Sequence, residues 1–141
     1  MLIIATSQVE TKEKFPFSRR QTFIITIIGL VFWFLGAMTV QLGGRIGLFG
    51  GLAGIGAFVL GMLFAWYGVK LIIFMCKLVP KQYVPATAFG LAVATFCDGI
   101  CITWLTPIYG TEWKVVGLGA AWILWGACTF LTSAFLQAYR K

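Results

Sequence analysis

The sequence predicts an all-α polytopic membrane protein, a bundle of four transmembrane helices with N-in/C-in topology. Three observations carry that prediction. Of 141 residues, 60% are hydrophobic and only 11% are charged, where a soluble domain has about 45–50% and 25%. A water-soluble globule of this composition would expose large apolar patches. The apolar residues fall into four runs, each about as long as the hydrocarbon core of a bilayer is thick. Lys12, Lys14, Arg19, Arg20, Lys70, Lys77, Lys81, Arg140 and Lys141 lie on one side of the resulting map, against Arg45 and Lys114 on the other. A bias of that kind marks the cytoplasmic face.

Residues 1–21 make a polar cytoplasmic segment. Its opening stretch, Met1–Ala5, is apolar but too short to span and is expected at the interface, while Pro16 opposes a helix running straight into the membrane. Ser18-Arg19-Arg20 ahead of an apolar run looks like a twin-arginine export signal. The run that follows exceeds the roughly 7–15 residues of a cleavable signal, and Gln41-Leu42-Gly43-Gly44-Arg45 offers no small-residue cleavage pattern. An uncleaved signal-anchor is expected.

The first span is Thr22–Leu42, uncharged and about 32 Å long as a helix; Gly43-Gly44-Arg45 breaks it. The second runs from Ile46 to Val69. Lys70 interrupts there, but a long lysine snorkels, so Leu71–Cys76 either continues the helix or leaves it. Pro80 and Pro85 punctuate the next loop. The third span is Ala86–Ile108, closed by Pro107 and Gly110, and the fourth is Val115–Ala138, leaving residues 139–141 as a cytoplasmic tail. Tyr83, Tyr109, Trp113 and Tyr139 fall at interfaces, which suit amphipathic rings. No internal repeat pairs the two halves as in an inverted-repeat transporter.

In lipid, helices gain little from the hydrophobic effect against one another, so small residues mark their contacts. The second span carries Gly47, Gly50, Gly51 and Gly54 and an i, i+4 stripe of Ala53, Ala57, Gly61 and Ala65. The third carries Ala86, Gly90 and Ala94, and the fourth Gly119, Ala120, Gly126 and Ala127. The expectation is a close crossing of the second and third helices. A contact between two copies is the alternative use of the same stripes.

Asp98 is the one ionisable residue well inside a span, about 12 residues from the start of the third helix and so near the midplane. A carboxylate there costs ~2.5–3.5 kcal/mol, and such residues face the bundle interior. Asp98 continues the Ala86, Gly90, Ala94 row. No basic residue shares its depth. Desolvation penalises the charged form, so a protonated carboxyl is expected, hydrogen-bonded to a hydroxyl or a backbone carbonyl. Thr95, Thr103 and, on the fourth helix, Thr129 are the candidate partners, with Cys101 adjoining. Two roles fit such a group: the proton- or ion-coupling carboxyl of a small transporter or channel, or neutral polar glue between helices.

Other chemistry finds little footing. Nucleic-acid binding needs basic residues clustered on one face with stacking aromatics, and here the charges are split among short segments. No histidine occurs, which excludes a His-ligated haem and leaves zinc or di-iron chemistry without imidazole ligands. No catalytic residue, metal site or cofactor is expected, since no nucleophile–base pair is visible. Cys76, Cys97, Cys101 and Cys128 lie in or beside apolar runs and read as small buried hydrophobes. Cys97 and Cys101 are spaced C-x-x-x-C rather than the redox C-x-x-C, so a membrane thiol-redox protein is the least favoured role. Trp33, Trp66, Trp104, Trp122 and Trp125 read as packing and lipid contacts rather than a ligand cage.

WFLGA at Trp33–Ala37, FCDGI at Phe96–Ile100, TPIYG at Thr106–Gly110 and AWILWGA at Ala121–Ala127 carry a resemblance over residues 22–138. The family it resembles is one of uncharacterised bacterial four-helix integral membrane proteins, a domain of unknown function, and it implies no particular activity. The expected location is the bacterial inner (plasma) membrane. Two function classes follow. One is a non-enzymatic subunit or interaction protein, its partners the lipid bilayer and either itself, as a homo-oligomer, or other membrane subunits. The other is a small proton-coupled transporter or channel using Asp98.

Overall fold

The computed structural model describes residues 15–140, and among them four long helices hold most of the chain. These are α1 (Arg19–Arg45), α2 (Gly51–Cys76), α3 (Pro80–Trp104) and α4 (Trp113–Ala138), with one 3-10 turn, Thr106–Ile108, ahead of α4. Each helix is long and apolar enough to cross a membrane, and a helix bonds its backbone groups internally, as lipid demands. The outer surface suits lipid rather than water: Phe23, Leu52 and Phe74 are 68%, 87% and 81% exposed. The chain is a multi-pass membrane protein.

The helix ends follow local chemistry and move several expected boundaries. Ser18 and Gln21 form a capping box at the start of α1, so Arg19 and Arg20 make its first turn and the polar segment ends before residue 21. α2 does not stop at Lys70: Leu71–Cys76 are helical. The Lys70 ammonium lies 5.8 Å from the Trp66 ring and 5.6 Å from the Tyr67 ring, which lets a mid-helix lysine stay at the surface. α2 ends where Lys77 turns left-handed, at φ 49°, and the Leu78 N–H donates to the Ile73 carbonyl at 3.1 Å. α3 starts at Pro80 rather than Ala86, because proline suits the first helical position; Pro85 lies inside the helix near that end. α3 ends at Trp104, and Thr106–Ile108 continue as the 3-10 turn. The interfacial position expected for Met1–Ala5 falls outside the described residues, as do Lys12, Lys14 and Lys141.

Packing departs from the expected order. α1 lies chiefly against α3, and α2 against α4, with α3 and α4 joining the two pairs. α2 and α3 touch only sparsely, so the close crossing expected between them is not formed. On α3, Gly90 meets Gly29 of α1, so closely that a Cβ on Gly29 would stand 2.6 Å from the Gly90 carbonyl oxygen. On α2, Ala57 accepts a hydrogen bond from the Trp122 indole of α4 at 3.1 Å, and Gly61 packs on the same indole. Ala65 is buried with Phe130 and Ala134. Gly47 and Gly51 serve a turn instead of a crossing: both have positive φ, +70° and +52°, and open space around them. Gly54 abuts the backbone of Phe49 in that same turn.

Two plugs close the ends of the bundle. At the end where α1 begins, Phe17, Ile25, Ile72, Leu78 and Ala86 pack together. Gln82 donates to the Pro16 carbonyl at 2.7 Å, and Gln21 donates to the Cys76 carbonyl at 3.1 Å. At the other end, Ala37, Val40, Phe49, Cys101, Tyr109 and Val116 form the second plug. α1 and α2 touch each other less than the paired helices do. Phe32 and Phe64 bridge them, with ring centroids 5.5 Å apart.

Candidate functional site

A central cavity of about 380 Å³ is lined by all four helices, and its lining includes the exposed Leu35 of α1 and Leu60 and Phe64 of α2. Phe32 of α1, Phe64 of α2 and Phe130 of α4 crowd together at its floor, with centroids 5.4 to 6.0 Å apart. Trp122 and Leu48 stand towards its other end, where Phe49 stacks on Trp122 at 5.8 Å. Asp98 of α3 is part of the wall, and no lysine or arginine is.

Asp98 is buried, as its place on the small-residue row of α3 predicts. Its depth differs from expectation. Because α3 begins at Pro80 and ends at Trp104, the carboxyl stands about 9 Å along the axis from the helix end, in the half of the bundle away from Phe15. Its partner also differs. The Thr95 hydroxyl donates to the Leu91 carbonyl at 2.9 Å, that of Thr103 to Gly99 at 2.7 Å, and that of Thr129 to Gly126 at 2.9 Å. Hydroxyls in apolar helices satisfy themselves on the preceding turn. None of the three reaches Asp98. Cys101 is buried near it with a free thiol, Cys97 is half-buried, and Cys128 is exposed rather than buried.

The group that does reach Asp98 is Tyr109. Its hydroxyl donates to Oδ1 of Asp98 in a short hydrogen bond, and it accepts one from the Trp33 indole N–H at 3.0 Å. Tyr109 was expected in the interfacial belt, yet it is 1% exposed, the largest fully buried side chain. The turn after α3 explains this. Thr106–Ile108 tighten into a 3-10 turn containing Pro107, and Gly110 takes φ +148°, a conformation that favours glycine. The chain doubles back and drops the phenol between α1 and α3.

Against protein-family models, curated proteins and solved structures, the chain has no match.

The direction of the three-residue chain is set by its first member. An indole N–H only donates, so the Tyr109 oxygen must accept from Trp33 and its own proton goes to Asp98. Oδ1 is thereby committed as an acceptor. Oδ2 makes no hydrogen bond among the described residues, and it is not among the atoms sealed from solvent. Asp98 is one of the residues lining the cavity. Burial, and then the bond to Asp98, hold the Tyr109 phenol well above its ordinary range, the Trp33 bond opposing. Tyr109 thus serves Asp98 as a hydrogen-bond donor.

Sequence reasoning missed Tyr109, Trp33 and Trp122. One signal lay in the turn residues: Pro107 and Gly110 bracket Tyr109 and bend the backbone around it. Another lay in the tryptophans, since a buried indole needs an acceptor, and both Trp33 and Trp122 found one across the bundle.

Proposed function

We propose that this chain is a small proton-coupled carrier in which Asp98 holds the exchanging proton and the central cavity holds the cargo. The observation that supports it is a carboxyl tied through one oxygen to Tyr109 and standing in the wall of a cavity of ligand size; ligand pockets run about 300–1,000 Å³. The setting is the inner membrane of a bacterium with both ends cytoplasmic, which the distribution of basic residues favours. The test is an infrared titration of the protonated carboxyl in lipid nanodiscs, wild type against Asp98→Asn. A carboxyl band that vanishes as pH rises, and is missing from an Asn variant of unchanged helicity and thermal unfolding, supports the carrier. No Asp98-dependent change between about pH 4 and 10 overturns it.

A second reading, a non-enzymatic subunit acting through its helix surface, is favoured by a different feature. Gly56, Gly99 and Gly117 are exposed, with open space where a Cβ would stand, and bare backbone lets another helix approach closely. Its test is cross-linking in native membranes: Gly99→Leu abolishes a discrete complex if that face is an interface. An unchanged pattern counts against it.

A further inference from the structure

We infer that the cargo is a small monovalent organic cation with an apolar body, admitted sideways from the bilayer between α1 and α2, whose charge replaces the proton on Asp98. This rests on the carrier reading and names its substrate class.

The wall of the cavity argues for the charge. Asp98 is the one lining residue able to carry charge, and it carries it as an anion. An anionic cargo would meet no partner. A neutral polar cargo would meet few free groups, because the hydroxyls of Thr39 and Thr95 already donate to the Leu35 and Leu91 carbonyls. A cation meets Oδ2 of Asp98 and several aromatic side chains, with Trp33, Trp122, Phe32, Phe64 and Phe130 all in the lining. The faces of such rings attract cations, most strongly where water is excluded.

The route argues for the apolar body. The two hydrophobic clusters occupy the two ends of the bundle, so the widest exposure of the cavity lining is lateral. Its open side has Leu35, Leu60 and Phe64 at the rim, 45%, 65% and 46% exposed. That side faces lipid. A cargo arriving there has already partitioned into the bilayer, which a strongly hydrated ion does not do.

The exchange balances. A protonated Asp98 plus the cation gives the carboxylate–cation pair plus one proton released to solvent, and the cavity stays neutral throughout. The titratable groups near Asp98 are Tyr109 from the turn and Cys97 and Cys101 on its own helix; α1, α2 and α4 present none to the cavity. One proton is therefore released per cation bound.

The experiment uses the full chain in lipid nanodiscs, with binding read by tryptophan fluorescence. The ligands are benzyltrimethylammonium, which cannot itself lose a proton, and its neutral isostere neopentylbenzene. At about pH 8 the cation should bind at least ~tenfold more tightly than the isostere, weakening by up to ~tenfold per pH unit on acidification. An indicator dye should register the released proton. Asp98→Asn should erase the preference while the isostere still binds, and Asp98→Glu should keep it, which separates loss of charge from loss of fold. Equal affinity for the two ligands, or a cation preference that survives Asp98→Asn, overturns the inference. If the infrared titration shows Asp98 exchanging its proton while the cation has no advantage, the substrate class is wrong and the carrier stands. If Asp98 does not titrate, both fall.

Discussion

At the indole of Trp33 the polarity of a hydrogen-bond chain is decided, because that N–H can only give and Tyr109 must pass its own proton onward to Asp98. Tyr109→Phe leaves the Trp33 N–H and one Asp98 oxygen without partners, and a buried orphan costs about 1–3 kcal/mol. Its unfolding midpoint in denaturing detergent should fall accordingly, and the infrared carboxyl band should move as Oδ1 loses its donor. Tyr109 also carries a pH signature. Burial and the Asp98 bond raise its folded value above the unfolded one. The stability it contributes is thus complete below the ordinary phenol value of about 10 and is lost only as pH climbs through the higher folded value. Spectrophotometric titration should show one tyrosinate appearing late in the wild type and no late phase in Tyr109→Phe. Asp98 was legible in the sequence because an acid inside an apolar run has few reasons to be there. Tyr109 was not. A tyrosine beside a proline and a glycine at a helix end looks the same whether the turn throws it towards headgroups or folds it inward, and only the turn's dihedrals separate the two.

Among the helices, a close backbone approach lies where α1 crosses α3 at Gly29 and Gly90. Gly29→Ala drives a methyl into backbone that cannot step aside, an overpacking expected to cost about 1–3 kcal/mol. Gly56→Ala, with nothing near it, should be neutral or slightly stabilising through helix propensity. Comparing the two by detergent unfolding isolates the crossing from the residue type. Lys77→Gly should raise stability, by about 1 kcal/mol, because Lys77 holds a left-handed conformation that glycine adopts without a Cβ penalty. The same elements mark how far sequence reasoning reaches. The four spans were readable from hydropathy; of the small residues, Ala57 and Gly61 of α2 meet Trp122 of α4 and Gly90 of α3 meets Gly29 of α1, while Gly47 and Gly51 lie in a turn. Which helix each row meets was not readable, since periodicity reports a face and not its neighbour. The ends moved where a lysine could snorkel, as at Lys70, or where proline opens a helix rather than ending a loop, as at Pro80.

For the molecule as a whole, the orientation is a labelling question. In right-side-out bacterial spheroplasts, and in a background with the native cysteines replaced, a Glu112→Cys thiol should react with an impermeant maleimide. A Lys77→Cys thiol should react only after permeabilisation. The reverse pattern would turn the bundle over and place the half that holds Asp98 on the cytosolic side. The pairing of α1 with α3 and of α2 with α4 also governs how the molecule is put together. Each helix has its main companion two places along the chain, so a nascent hairpin of α1 and α2 enters the membrane with neither of its lasting contacts made. α2 then waits for the last segment to be synthesised, and its exposed glycines are bare to lipid or to strangers in the interval. Asp98 is inserted eleven residues ahead of Tyr109, alone, and finds its donor only when the following turn has been made. A ribosome arrested before that turn would present quality-control proteases with an orphan acid in hydrocarbon.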